Sequence, residues 1–252
     1  MKGVVIDVGN SAAKWAVLTG QELTVSRHEV QSQTWLELAQ QIAQTVDGEV
    51  PVWVSSVADA RANGSLQEAL AEAGLSRVEF CRAQARESGL VNSYEDPDRM
   101  GVDRWLAMLG AWCADPGPLL VIDAGSALTC DLVAGDGQHL GGYILPGPGM
   151  MESSLLSQTQ GIRYEARELP SLEPGCSTAA CVGSGIWTAA VGAVNEVRQR
   201  YGGHKVILTG GDAGTLMALG VSGDWRPNLV LEGLAQRARR KSGGERLDPG
   251  VP

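Results

Sequence analysis

The chain has 252 residues and a mass of 26.5 kDa, with 44% hydrophobic and 19% charged residues, which fits a globular protein of one large domain or two small ones. Its 29 acidic and 20 basic residues give a formal net charge of −9, which argues against a general nucleic-acid binder but not against anionic small substrates, since metal ions and backbone N–H groups can supply local positive charge. Five cysteines with no CxxC pair argue against a disulfide scaffold and a structural zinc site; Asp7 and Asn10 interrupt any leader, and no apolar run reaches the roughly 18 residues of a membrane span, so a soluble cytoplasmic protein is expected.

In chain order, Val4 to Ile6 is a short apolar run that reads as a buried strand, followed by a turn at Asp7-Val8-Gly9-Asn10-Ser11 and a return strand from Lys14 to Leu18. Helical spacing predicts a helix over Trp35 to Thr45, a strand over Val50 to Val57, a helix over Ser65 to Ala73 and a short strand at Val78 to Cys81. Arg104 to Cys113 reads as a helix, broken by Asp115-Pro116-Gly117-Pro118, the best domain boundary.

The opening pattern then recurs. Leu119 to Ile122 is apolar, Asp123-Ala124-Gly125-Ser126 turns, and Thr129 to Ala134 returns, so that Asp7 aligns with Asp123 and Gly9 with Gly125. Thr178 to Tyr201 is a long helical region whose Gly183-Ser184-Gly185 allows a break into two helices. Val206 to Leu208 is a strand leading into Thr209-Gly210-Gly211-Asp212, and helices follow at Ala213 to Leu219 and Asn228 to Lys241. Alternating strands and helices predict an α/β protein. The expected domains are 1–115 and 118–241, with 242–252 a loose tail.

A strand that ends in a carboxylate and a glycine turn gathers backbone N–H groups around a concave point where phosphate oxygens bind. Asp7 and Asp123 beside phosphates then call for a cation between the charges. One such turn alone is most simply a hairpin with Asp in a favoured position. Two in matched halves, with the third glycine turn at Gly210-Gly211, favour a nucleotide site in a cleft. Between the repeats, Gly101-Val102-Asp103-Arg104 begins a helix. Asp103 fits an N-cap, whereas a cation such as Arg104 is poorly placed in a first turn unless it meets an anion. The three histidines match no metal spacing, and Arg237, Arg239, Arg240 and Lys241 read as a solvated helix end.

These stretches, together with His139-Leu140-Gly141-Gly142-Tyr143-Ile144-Leu145-Pro146-Gly147, fall in one order across residues 3–235, and in that order the chain resembles the type III pantothenate kinases of the acetate and sugar kinase/Hsp70/actin superfamily. The resemblance implies two ribonuclease H-like (actin-like ATPase) domains, each a central mixed β-sheet flanked by helices. It implies ATP-dependent phosphorylation of pantothenate to 4′-phosphopantothenate, the first step of coenzyme A biosynthesis. ATP would be bound by Asp7, Val8, Gly9, Asn10, Ser11, Ala12, Ala13, Lys14, Ser126, Gly210 and Gly211, and pantothenate by Tyr94, Gly101, Val102, Asp103, Arg104 and Thr178. Asp103 would be the catalytic base. Asp123 would hold a monovalent cation, K⁺ or NH₄⁺, and Asp7 would hold Mg²⁺ directly or through water. A homodimer is implied, with no nucleic-acid or membrane partner. Ser11 and Ser126 stand where the family usually has Thr, and each keeps the hydroxyl that reaches phosphate. Another kinase of the superfamily, a nucleotide hydrolase and a non-catalytic accessory protein are the competing expectations.

Overall fold

The structure, a computed structural model, describes residues 2–9, 12–28, 34–164 and 169–243, so that nearly all of the expected tail lies outside the described residues. The chain divides into two compact units, Met1–Asp115 with Leu229–Pro252, and Pro116–Asn228. The first runs through β1 (Lys2–Val8), β2 (Ala13–Thr19), β3 (Glu22–His28), α1 (Trp35–Ala43), β4 (Val52–Ser56), α2 (Ala60–Glu72) and β5 (Val78–Phe80). It continues with the short hairpin β6 (Arg86–Glu87) and β7 (Leu90–Val91), a 3-10 turn at Pro97–Arg99 and α3 (Val102–Ala114). The second holds β8 (Leu119–Ala124), β9 (Ala127–Val133), β10 (His139–Pro146), α4 (Pro148–Gln158), α5 (Thr178–Arg200), β11 (Lys205–Thr209), α6 (Ala213–Ala218) and β12 (Asp224–Trp225). The last helix, α7 (Leu229–Ser242), belongs to the first unit.

The two large sheets share one topology. Their strand orders are β3-β2-β1-β4-β5 and β10-β9-β8-β11-β12. In each, the first three strands meander antiparallel and the last two run parallel to the first. The repeat signalled by Asp7 and Asp123 is therefore a repeat of whole five-stranded sheets, and the α/β class with two mixed sheets flanked by helices holds. Alternation along the strands divides each sheet into two faces. Val4, Ile6 and Val8 of β1 and Val52 and Val54 of β4 pack with Leu38, Ile42, Leu66 and Leu70 of α1 and α2. Leu120 and Ile122 of β8 pack with Ala190, Val194 and Leu216 of α5 and α6. Asp7 and Asp123 sit at the odd positions and so point from the faces opposite these cores.

Helix boundaries follow local chemistry. Thr34 and Glu37 form a capping box at the start of α1, and Asp59 caps α2 by accepting from Ala62 N–H at 2.8 Å. The region that allowed a break near Gly183 is one continuous helix of 23 residues. Val182, Ile186, Ala190, Val194 and Val197 recur at three- and four-residue spacing, so one buried stripe outweighs the roughly 1 kcal/mol each glycine costs.

The C-terminal helix departs from expectation. Residues 229–241, read as part of the second domain, pack on α3 of the first unit. Two glycines make this possible: a Cβ on Gly233 would lie 2.0 Å from the Leu106 carbonyl oxygen, and one on Gly110 would lie 2.6 Å from that of Leu229. The basic run is correspondingly not a solvated helix end. Arg237 is 2% exposed and its guanidinium grips the buried Glu87 carboxylate, with Nε to Oε1 at 2.8 Å. Arg239 donates to the carbonyls of Gly20 and Gln21, Arg240 to Ser88 Oγ, and Lys241 pairs with Glu79. Among the described residues no helix is long and apolar enough to cross a membrane.

Candidate active site

In the first unit, Asp7 is the penultimate residue of β1, where the chain leaves the sheet. Strand pairing sets Asp7 beside Lys14 on β2 and Ser55 on β4, so a carboxylate, an ammonium and a hydroxyl form one row across three strands. The following turn is closed by Gly9 N–H donating to Ala12 O at 3.1 Å. Val8 and Ala13 are buried and pair with each other at the head of the hairpin. Asn10 and Ser11, two of the expected ATP ligands, lie outside the described residues. Ser55 Oγ is wholly buried and has no hydrogen-bond partner among the described residues. A buried hydroxyl left unbonded costs roughly 1–3 kcal/mol, and this one stands in register with Asp7.

The second unit repeats the row with Asp123, Thr129 and Thr209 in register on β8, β9 and β11. Three backbone segments converge on the turn after Asp123. Gly125 N–H donates to Ala127 O at 3.0 Å, closing it. Gly210 has φ +92, and a Cβ there would lie 2.4 Å from Ala124 O and 2.5 Å from Asp123 Oδ1, so only glycine lets the third turn approach the carboxylate. Gly147 donates its N–H to Ser126 O at 3.0 Å and leads into α4, so the first turn of α4 begins against the exposed Ser126. Gly211 is exposed, and Asp212 N–H donates to Ala124 O at 2.8 Å. Beside these turns lies a cavity of about 390 Å³ whose lining includes Pro148, Glu152, Tyr164, Trp187, Asp212 and Thr215.

At the start of α3, Gly101 takes the N-cap position without a side-chain bond. Asp103 is therefore not the N-cap but the second helical residue, and its Oδ1 accepts from Arg104 N–H at 2.8 Å. Negative charge in a first turn is favourable to the helix, and Asp103 stays half-buried there. Arg104 is 7% exposed. Its Nη1 donates to Tyr94 Oη at 3.0 Å and its guanidinium lies 5.9 Å from the Tyr94 ring centroid. Tyr94 is itself anchored through its N–H to Asn92 Oδ1 at 3.0 Å. Val102 is buried and anchors the helix start. A cavity of about 370 Å³ opens at this point, with Ser56, Ala58, Arg82, Asp98, Arg99 and Gly101 in its wall. Thr178 is the exposed first residue of α5, behind the N-cap Ser177, in the second unit.

The first unit thus gathers Asp7 and Lys14 at one strand end, and Tyr94, Gly101, Val102, Asp103 and Arg104 at one helix start. The second gathers Asp123, Ser126, Gly210 and Gly211. Ser55, Thr129 and Thr209 complete the two rows but were not among the expected site residues. The signal for Ser55 was a polar residue at the end of an otherwise apolar strand. Among the described residues no three His, Cys, Asp or Glu side chains cluster as a metal site. His139 is buried, with Nε2 3.1 Å from Asp131 Oδ1.

Two α/β units share one topology, a five-stranded mixed sheet flanked by helices, each with a carboxylate at the end of its first strand above a glycine turn, and these define the class of fold. A solved structure described as a candidate 2-dehydro-3-deoxygalactonokinase from Sinorhizobium meliloti agrees in fold, with a TM-score of 0.60 over 95% of this chain and 99% of that one, at 15% identity. The sequence narrows the class. The type III pantothenate kinase family profile matches residues 3–200. The type III pantothenate kinase of Marinobacter nauticus is 38% identical over 93% of this chain and 97% of its own length. That of Pseudomonas fluorescens strain SBW25 is 38% identical over 91% of this chain and 96% of its own length. The chain belongs to the type III pantothenate kinase family.

Proposed function

We propose that this chain transfers the γ-phosphoryl group of ATP to the primary hydroxyl of pantothenate, giving 4′-phosphopantothenate at the entry to coenzyme A biosynthesis. The observation that carries the reading is family membership over nearly the whole chain, joined to the retention of Asp7, Asp103 and Asp123 at the ends of elements that hold them out of the cores. An accessory protein has no need of those three carboxylates. A hydrolase has no need of the Arg104–Tyr94 pair beside Asp103.

Phosphoryl transfer is mostly positioning and charge stabilisation. The turn residues Val8, Gly9, Ala12 and Ala13, with Lys14, bind phosphate oxygens in the first unit, as do Ser126 and the backbone around Gly125 in the second. Gly210 and Gly211 border the nucleoside, and the neighbouring cavity offers Trp187 as an apolar wall. Asp103 accepts the hydroxyl proton as the bond to phosphorus forms, while Arg104 binds an anionic group of the bound substrates, its guanidinium fixed by Tyr94. Thr178 and Tyr94 complete the pantothenate contacts.

Both implied cations fit the oxygens present. Mg²⁺ takes one or two carboxylates, keeps water and shares substrate phosphates, so Asp7 with the unpartnered Ser55 hydroxyl in register suits it without a larger cluster. At Asp123 the donors are carboxylate and backbone carbonyl oxygens packed against Gly210, a set suited to a hard monovalent cation. When bound, the cations neutralise the phosphate charge that Asp7 and Asp123 would otherwise repel. A homodimer is part of the same reading. The exposed Ile144, Met150 and Leu155 around β10 and α4 support it, and specific activity should fall on dilution below the dimer dissociation constant.

The test of the catalytic assignment is Asp103→Asn. Turnover should drop by roughly 10²–10⁴-fold while ATP affinity, measured by calorimetry, stays within about threefold. Turnover near that of the parent enzyme removes Asp103 from the role.

A further inference from the structure

Two of the five cysteines flank the start of α5. Cys181 is the fourth residue of that helix and Cys176 directly precedes its N-cap, Ser177. Side chains at these two positions face each other across a helix start, as in the hydrophobic staple. Cys181 Sγ points back along the helix to within 3.2 Å of the Gly175 carbonyl oxygen, one peptide bond from Cys176. Standard peptide geometry then puts Cys181 Sγ no more than about 6 Å from Cys176 Cα. Gly175 is seated directly on the helix, since a Cβ there would lie 2.3 Å from Cys181 N. Both thiols are free and exposed. The other three are poor competitors: burial pushes the Cys81 and Cys113 thiols up, and that of Cys130 to about 12.

We propose that Cys176 and Cys181 form a reversible dithiol–disulfide site that staples residues 175–177 to the first turn of α5 under oxidation. The oxidant is a low-molecular-weight disulfide such as oxidised glutathione. One cysteine thiolate attacks its sulfur, forming a mixed disulfide and releasing one small thiol. The second cysteine thiolate then attacks the protein sulfur of that mixed disulfide and releases the other. The two cysteines lose two protons and two electrons, and the small disulfide is reduced to two thiols. The bond encloses Thr178, so oxidation alters the geometry of this pantothenate contact. That second consequence rests on the function proposed above; the bond itself does not.

The experiment oxidises the native, full-length protein with excess oxidised glutathione and reads intact mass and a non-reducing peptide map. The expected result is a loss of about 2 Da and one peptide linking Cys176 to Cys181, reversed by dithiothreitol. Cys176→Ser and Cys181→Ser should instead each gain about 305 Da as a stable glutathione adduct on the remaining thiol. Wild-type protein that carries two separate adducts, stays fully reduced, or links any other pair overturns the proposal. In the kinase assay the oxidised protein should show a pantothenate KM changed at least about threefold, with the ATP KM unmoved, and Cys181→Ser should show no such response. An unchanged pantothenate KM in protein that carries the bond overturns the link to Thr178, whereas an absent kinase activity leaves the mass result standing.

Discussion

Replacing Glu87 with Ala should be among the most damaging single changes in the first unit. The Glu87 side chain is 0% exposed and the Arg237 side chain 2%, so the ion pair is screened from water. Glu87 Oε2 also accepts from Trp105 Nε1 at 3.0 Å, and Arg237 Nη1 donates to Arg82 O at 2.7 Å. One carboxylate thus ties the β6–β7 hairpin to α3 two residues from Asp103, and to α7 at the same time. Removing it strands a guanidinium in the interior, a loss of about 3–5 kcal/mol. For a chain of this size each kcal/mol moves Tm by about 2–4 °C, so a fall of roughly 6–20 °C is expected. Thermal unfolding followed by tryptophan fluorescence reads the change, because Trp105 and Trp112 lie in the affected helix. The double variant Glu87→Met with Arg237→Met, which removes both charges, should recover most of the loss. A Tm within about 2 °C of the parent for Glu87→Ala, or a double variant worse than the single, refutes the reasoning.

Other outcomes follow from the same geometry. Gly210→Ala forces a Cβ against Ala124 O and Asp123 Oδ1 at a left-handed φ, so the ATP KM should rise at least about tenfold with the pantothenate KM little changed. Tyr94→Phe keeps the ring under the Arg104 guanidinium but removes the oxygen it donates to; at about 1.5–3 kcal/mol for a charged hydrogen bond, the pantothenate KM should rise by about tenfold or more in steady-state assays. Cys130 ionises less readily when folded, with its thiol raised to about 12, so the stability it contributes is whole below about pH 8.5 and is lost as pH rises through 12. Urea unfolding at pH 8 and pH 11 should therefore show a shallower alkaline decline for Cys130→Ala than for the parent.

Local chemistry leaves its mark in the sequence, and long-range packing does not. A carboxylate followed by a glycine turn between apolar runs is a short-range signal, so Asp7–Gly9, Asp123–Gly125 and Gly210-Gly211 are all legible as turns at strand ends, where the fold places them. The start of α3 is nearly as clear, although Gly101 takes the cap position and Asp103 the second helical place. Two elements are hidden by composition. β10 carries Gly141 and Gly142 and alternates poorly, and α4 opens on Pro148-Gly149, which reads as loop although proline suits the first turn of a helix. Nothing near Arg237 signals that its partner is Glu87, and nothing near Gly233 signals that its groove is filled by Leu106. Ser55 shows in the sequence only as a polar residue ending an apolar strand, and its place opposite Asp7 emerges from the register.

The measurement that bears most directly on the central claim is a mass-spectrometric assay of the purified protein with ATP, Mg²⁺ and pantothenate, run in K⁺, in NH₄⁺ and in Na⁺ alone. The expected product is heavier than pantothenate by one phosphoryl group, formed with K⁺ or NH₄⁺ and strongly reduced in Na⁺ alone. Equal product in all three salts contradicts the cation role of Asp123, and folded protein that yields no phosphorylated pantothenate in any of them contradicts the proposed function.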